Sequence, residues 1–196
     1  MPSVELMKDI VILGGPNGAG KTTAAPFVVP RELGIREFVN ADEIARGLSP
    51  FNAEGVAVAA GRLMIDRMRM LVRDGQSFAF ETTCAGRAHA GWLRACKADG
   101  WRITLVYLWL RSPQMALDRV ARRVRQCGHH IPDDVVVRRY HLGLVNMRRL
   151  YFPLADAAGI YDNSDYERTL IVQRSPEDGL VVHDAGLWAM IERLTE

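Results

Sequence analysis

The sequence predicts an α/β fold of three layers, a mainly parallel sheet between helices, and three features predict it. An apolar run, Ile10-Val11-Ile12-Leu13, leads straight into the glycine-rich stretch Gly15-Pro16-Asn17-Gly18-Ala19-Gly20-Lys21-Thr22. Short apolar stretches then alternate with longer segments of helical period. The most apolar of them, 103–110, lacks the alternation of a half-exposed strand, so it belongs at the centre of a sheet covered on both faces.

With 196 residues, 48% of them hydrophobic, the chain suits one domain with a full core. A net charge of +2 supplies no default attraction to nucleic acid or to an anionic membrane. The charge is unevenly spread, however: nine arginines face only Asp118, Asp133 and Asp134 within 111–149, which marks a place for an anion. Cys84, Cys96 and Cys127 have no metal-ligand spacing, and no apolar leader precedes the first strand. The expectation is a cytoplasmic protein with free thiols. The stretch 103–110 is far shorter than the roughly 20 residues that cross a bilayer, so no membrane association is expected.

Taken in order, the first strand and glycine-rich loop precede a helix from about Lys21. Pro26 and Pro30 should shorten or kink it, since each lacks an amide hydrogen and clashes with the preceding turn. A short strand at 36–40 then runs into a helical turn at Ala41-Asp42-Glu43-Ile44. Asn52 is placed to cap a long helix whose stripe is Val56, Ala60, Leu63, Met64, Met68 and Leu71, with Gly75 ending it. The methionines read as packing. A third strand, 77–80, ends in Glu81-Thr82-Thr83, and the helix after it, through Trp92, Leu93 and Cys96, stops near Gly100.

Beyond the central strand, Ser112-Pro113 opens a helix as cap and first residue. Its stripe of Leu117, Val120, Ala121 and Val124 turns Arg119, Arg122 and Arg123 to the other side. The segment 127–132 breaks it. Asp133 and Asp134 start the next helix, striped by Val136, Tyr140, Leu144 and Met147, with Arg138 outward and Arg139 at the edge. These two helices form a candidate arginine-bearing lid over about 112–150. A last core strand running into a polar loop over 159–164, a hairpin of 169–172 with 180–183, and a helix from about Ala185 complete a single domain.

The glycine-rich stretch fits the phosphate-binding loop pattern at every fixed position and directly follows a strand. Gly15, Asn17, Gly18, Ala19, Gly20, Lys21, Thr22 and Thr23 are therefore the expected nucleotide contacts. Lys21 would reach the β- and γ-phosphates of ATP, and the Thr22 hydroxyl would ligate Mg²⁺. Asp42 and Glu81 each lie just past a strand's carboxyl end, the edge where such sheets bind ligands. One carboxylate could accept a proton from an acceptor hydroxyl while the other orients the acceptor or holds metal-bound water. Against this, Asp42 could merely cap a helix, Glu81 could be a surface carboxylate, and the arginines could form a solvated face. At least one of the lid arginines is expected to touch phosphate when the lid closes. Thr82, Thr83, His129 and Arg138 are the further acceptor-side candidates.

The ordered set GPNGAGKTT at 15–23, FVNADEIARGLSP at 38–50, SFAFETT at 77–83, RVARRV with CGHHIP within 119–132, RRY at 138–140 and YDNS at 161–164 resembles the zeta toxin family of phosphate-loop kinases. The resemblance spans roughly residues 9–165 and implies a kinase fold with a lid. It also implies ATP and Mg²⁺ as cofactors and phosphorylation of the 3′-hydroxyl of UDP-N-acetylglucosamine, as in members of that family. By the same resemblance Asp42 matches the catalytic base, Glu81 an acceptor-contacting carboxylate, and Arg119 with Arg123 the lid segment. The toxins' second lid arginine is replaced near His129, and Cys127 stands where related members have glycine. No antitoxin segment lies in this chain, so an antitoxin partner is neither implied nor excluded.

Other readings of the loop carry their own marks. A transporter-type ATPase needs an LSGGQ-like signature and a strand ending in Asp-Glu, and the sequence has neither. A nucleic-acid end kinase would track a backbone through the arginines of 111–149 and show steep salt dependence. A nucleotide-dependent binding switch would exchange nucleotide without phosphorylating any acceptor.

Overall fold

A computed structural model describes residues 8–125 and 131–196. Seven strands form one sheet in the order β2-β3-β1-β4-β5-β6-β7: β1 Asp9–Gly14, β2 Glu37–Val39, β3 Phe78–Thr82, β4 Arg102–Trp109, β5 Ala157–Asp162, β6 Thr169–Ser175 and β7 Gly179–Val182. Strands β1 to β5 run parallel, and the β6–β7 hairpin continues the sheet antiparallel to β5. The uniformly apolar segment is β4, in the middle of the sheet. Its residues alternate between two cores: Ile103, Leu105, Tyr107 and Trp109 enter one, and Val106, Leu108 and, just past the strand, Leu110 pack in the other.

The helices divide between these layers. The first core takes α3 Ala57–Arg73 through Met64, Met68 and Leu71, α4 Ala88–Ala98 through Leu93 and Cys96, and α8 Ala185–Leu194 through Trp188 and Ile191. The second takes α1 Lys21–Phe27 and α5 Pro113–Arg125, through Ala25, Ala116 and Val120. Helix α6 Asp133–Asn146 joins both. Its Val136 and Tyr140 belong to the second core, whereas Leu144 and the following Met147 belong to the first. It bridges the layers.

Local chemistry explains the boundaries. Helix α1 is short, as Pro26 predicts, and passes into a wider π-type turn, Val28–Glu32, around Pro30. Helix α2 Ala41–Leu48 is capped by Asn40, whose Oδ1 accepts the amide of Asp42 at 2.8 Å. Asn52 does not cap α3. Its Oδ1 instead accepts from the Gly55 amide at 3.2 Å, closing the turn that precedes the helix, and α3 begins at Ala57. Two stripe positions also differ from expectation. Leu63 and Ala121 are exposed, and Ala116 takes the buried place on α5, because packing selects positions four apart there.

After α6 come a π-type turn at Met147–Tyr151 and a single turn, α7 Phe152–Leu154. Helices α5 and α6, the two that carry the arginines of 111–149, pack against each other. The turn carrying Cys127, His129 and the lid position near them lies outside the described residues. No helix among the described residues is long and apolar enough to cross a membrane.

Candidate active site

Beyond β1 the chain turns at Gly15, whose φ of +145° is open to glycine and where a Cβ would lie 2.3 Å from the Leu108 carbonyl. The loop is thereby pressed onto the end of β4. It is held from below by Asn163, whose Nδ2 donates to the Ala19 carbonyl at 2.7 Å. Asn163 follows β5, and its own amide donates to Trp109 O at 2.9 Å, so the end of the sheet carries the loop. Next to it Asp162 accepts from the Ser164 amide at 3.0 Å and pairs with Arg111 at 2.5 Å.

Lys21 is buried and folded back on the loop. Its Nζ donates to the carbonyls of Gly15 at 2.8 Å and Pro16 at 2.9 Å, and lies 3.5 Å from Glu81 Oε1. Burial holds its pKa below the ordinary 10.5, while the Glu81 carboxylate acts in the opposite direction. Beneath the loop the Cys84 thiol is fully buried and pushed up to about 12 by that burial, so it stays protonated and inert.

Glu81 is the hub. Its Oε2 accepts from Thr22 Oγ1 at 2.9 Å and from Asn40 Nδ2 at 2.8 Å, and its other oxygen faces Lys21. Strand register causes this: Leu13 pairs with Glu81, and Val39 pairs with Phe80, so the residues that follow β1 and β2 converge on the same carboxylate. The capping role weighed for Asp42 belongs to Asn40, and the Asp42 side chain lines the cleft from the first turn of α2.

Two cavities meet here. One, of about 270 Å³, is lined by Gly18, Gly20, Lys21, Thr22, Thr23, Arg119, Arg122 and Arg123 together with Asn17, Asp42 and Glu81. The other, of about 550 Å³, lies between α3, the end of β3 and α6 and includes Thr82, Thr83, Arg62, His89 and Arg139. Asn17, Lys21, Asp42 and Glu81 belong to both. The floor of the larger cavity, 83–86, is anchored to the α6 segment. Asn146 Nδ2 donates to the carbonyls of Cys84 at 3.0 Å and Ala85 at 2.9 Å, and Tyr151 donates its hydroxyl to Gly86 O at 2.7 Å. Gly143 passes so close that a Cβ would stand 2.3 Å from the Thr83 carbonyl.

The structure thus brings most of the expected residues together. Gly15 and Ala19 shape the loop from behind without lining either cavity, and Asn17, Gly18, Gly20, Lys21, Thr22 and Thr23 face in. Arg119 donates to the Ser164 carbonyl at 2.6 Å and lies 3.5 Å from the Gly18 carbonyl, joining α5, the loop and the β5 end. Arg138 is exposed and lines neither cavity, because α6 turns its neighbour Arg139 toward the cleft. His129 lies outside the described residues. Sequence reasoning missed Asn40, Arg62, His89 and Asn163. An asparagine directly before a helix was the available signal for Asn40; Arg62 and His89 had none, since their approach depends on how α3 and α4 dock. Burial lowers the His89 pKa.

Fold and site together define a phosphate-loop protein of kinase architecture, with a second cleft beside the loop. No family model matches the chain. A Haemophilus influenzae protein described as uncharacterized is 28% identical over 126 residues, covering 64% of this chain and 88% of that one. Among solved structures, the AvrRxo1-ORF1:AvrRxo1-ORF2 complex with sulphate superposes with a TM-score of 0.74 at 15% identity, over 98% of this chain and 65% of the other. The same complex with ATP gives 0.74 at 16%, over 98% and 64%. The PezAT chromosomal toxin-antitoxin system of Streptococcus pneumoniae gives 0.64 at 18%, over 84% and 72%. The chain spans just under two thirds of the length of the AvrRxo1 chains it matches. At these identities the likeness establishes the fold.

Proposed function

We propose that this chain is an ATP- and Mg²⁺-dependent phosphotransferase of the zeta-toxin type. It moves the γ-phosphate to a hydroxyl of a nucleotide sugar such as UDP-N-acetylglucosamine, or of a related small metabolite. The observation that carries this reading is the junction of the two cavities at Lys21, Asp42 and Glu81. A donor in the loop cavity and an acceptor in the larger one would meet beside a carboxylate. A nucleotide switch has no need of the second cleft, and the ATP-bound AvrRxo1 complex of the same fold supports ATP as donor.

The residues present fit a hard divalent cation. Thr22 and Glu81 place oxygen donors 2.9 Å apart at the loop, and Mg²⁺ in such sites takes one or two protein oxygens, the rest coming from phosphates and water. When bound, Mg²⁺ would spread the charge of the phosphates. The chain's own residues do the remainder. Loop amides and Lys21 hold the β- and γ-phosphates, and Lys21 exchanges its loop carbonyls for phosphate oxygens. Asp42 takes the proton of the acceptor hydroxyl as that oxygen bonds to the γ-phosphorus and the bond to ADP breaks. Arg119 and Arg123, with Arg122 beside them, offset the negative charge on the transferred group.

Mass spectrometry of protein, Mg²⁺, ATP and a panel of nucleotide sugars tests the reading, with Asp42→Asn run in parallel. One panel member should gain a single phosphate with the unaltered protein alone. Consumption of ATP with no gain of mass in UDP-N-acetylglucosamine would sink that assignment. A protein partner of the antitoxin kind belongs to the same proposal, since PezAT is a toxin-antitoxin system.

A further inference from the structure

We propose that Asn40 is a positioning residue that ties the Glu81 carboxylate to the backbone amide of Asp42, and so to the first turn of α2, through opposite ends of one carboxamide. Its consequence for turnover rests on the phosphotransferase reading; its geometry does not. Asn40 is 6% exposed, in extended conformation where β2 ends. Its Nδ2 donates to Glu81 Oε2 at 2.8 Å, and its Oδ1 accepts the Asp42 amide at 2.8 Å.

The two partners fix which way the carboxamide points. The reversed amide would set a carbonyl oxygen against a carboxylate and an NH₂ against a backbone N–H, losing both bonds. The same pair of bonds explains the residue type. As caps, Asp and Ser serve about as well as Asn and Thr only slightly less well. Asp would place a second carboxylate against Glu81, and Ser or Thr would bring a short hydroxyl in place of the NH₂. Only Asn supplies a cap acceptor and a reaching donor together. Because Glu81 Oε2 also accepts from Thr22, the Asn40 bond fixes the rotation that keeps this oxygen at the loop and Oε1 toward Lys21. At its other end the same side chain anchors the first turn of α2, which carries Asp42.

Two measurements on the full chain decide this. In a ¹⁵N-labelled sample, one Asn40 side-chain amide proton should resonate downfield and move upfield in Glu81→Ala; identical shifts in both would overturn the contact. Asn40→Asp retains the cap and should stay folded, with Asn40→Ser giving the same readouts if it does not. By titration calorimetry, Mg²⁺ should strengthen ATP binding to the variant about 10–100-fold less than to the parent, the usual loss for a group that orients a metal ligand. Unchanged Mg²⁺ linkage would overturn the positioning role. If the parent itself neither binds nor turns over ATP, the functional reading fails, and the amide shift still decides the contact.

Discussion

Thr22 donates its hydroxyl to Glu81 at 2.9 Å, joining the last residue of the phosphate-loop motif to the end of a strand 59 positions away. The pair gives the loop a carboxylate partner before any nucleotide arrives. It also sets Lys21 between its own loop carbonyls and the same carboxylate.

Lys21→Met should weaken ATP binding by about 10–100-fold, as expected for the loss of charge-assisted contacts to phosphate. Titration calorimetry measures it. The Lys21 pKa is lowered by burial, so the nucleotide-free fold disfavours the ammonium. That cost is fully present below the folded pKa. It is relieved as pH rises through the folded pKa toward 10.5, where the unfolded chain still binds the proton, so this group makes stability rise with pH in that window. Direct titration of the ¹⁵N-labelled Nζ should give a pKa below 10.5 without nucleotide and a higher one with ATP bound.

Asp42→Asn should keep ATP affinity within a few-fold and lower the transfer rate by about 10²–10⁴, the range for a positioned base. The cap is unaffected, since Asn40 makes it. Unchanged turnover with the true acceptor would assign Asp42 a structural part only.

Arg119→Ala should destabilise the nucleotide-free protein where Arg122→Ala does not, because Arg119 bonds the Ser164 carbonyl at 2.6 Å and Arg122 is exposed. A charge-assisted hydrogen bond contributes about 1.5–3 kcal/mol. At about 2–4 °C per kcal/mol for a chain of this size, the melting midpoint should fall by several degrees. Equal midpoints for the two variants would contradict the tie between α5 and the β5 end.

Gly143→Ala adds a Cβ 2.3 Å from the Thr83 carbonyl, a backbone atom that cannot step aside cheaply. Overpacking of this kind costs about 1–3 kcal/mol. Calorimetric unfolding should show the loss, and acceptor KM should rise more than that for ATP, since 83–86 floors the larger cavity alone.

Much of the fold was written locally. Periodicity and motif spacing determined the alternating elements, the central β4, the short α1, the edge hairpin and the phosphate loop, because each depends on neighbours within a few residues. The position of Asp42 and Glu81 at strand ends follows from the same local grammar. Tertiary structure alone decided what these carboxylates touch. The registers of β1, β2 and β3 bring Thr22, Asn40 and Lys21 onto Glu81, and no local pattern encodes a register between strands so far apart in sequence. The docking of α6 across both cores turns Arg139 to the cleft and Arg138 to solvent, although the two are adjacent in the chain. Asn163 reaches the loop only because β5 pairs with β4. The sequence by itself determined which chemistry-bearing residues lie at the sheet's carboxyl edge; long-range pairing decided which of them share an oxygen, since hydrogen bonds form by distance in space.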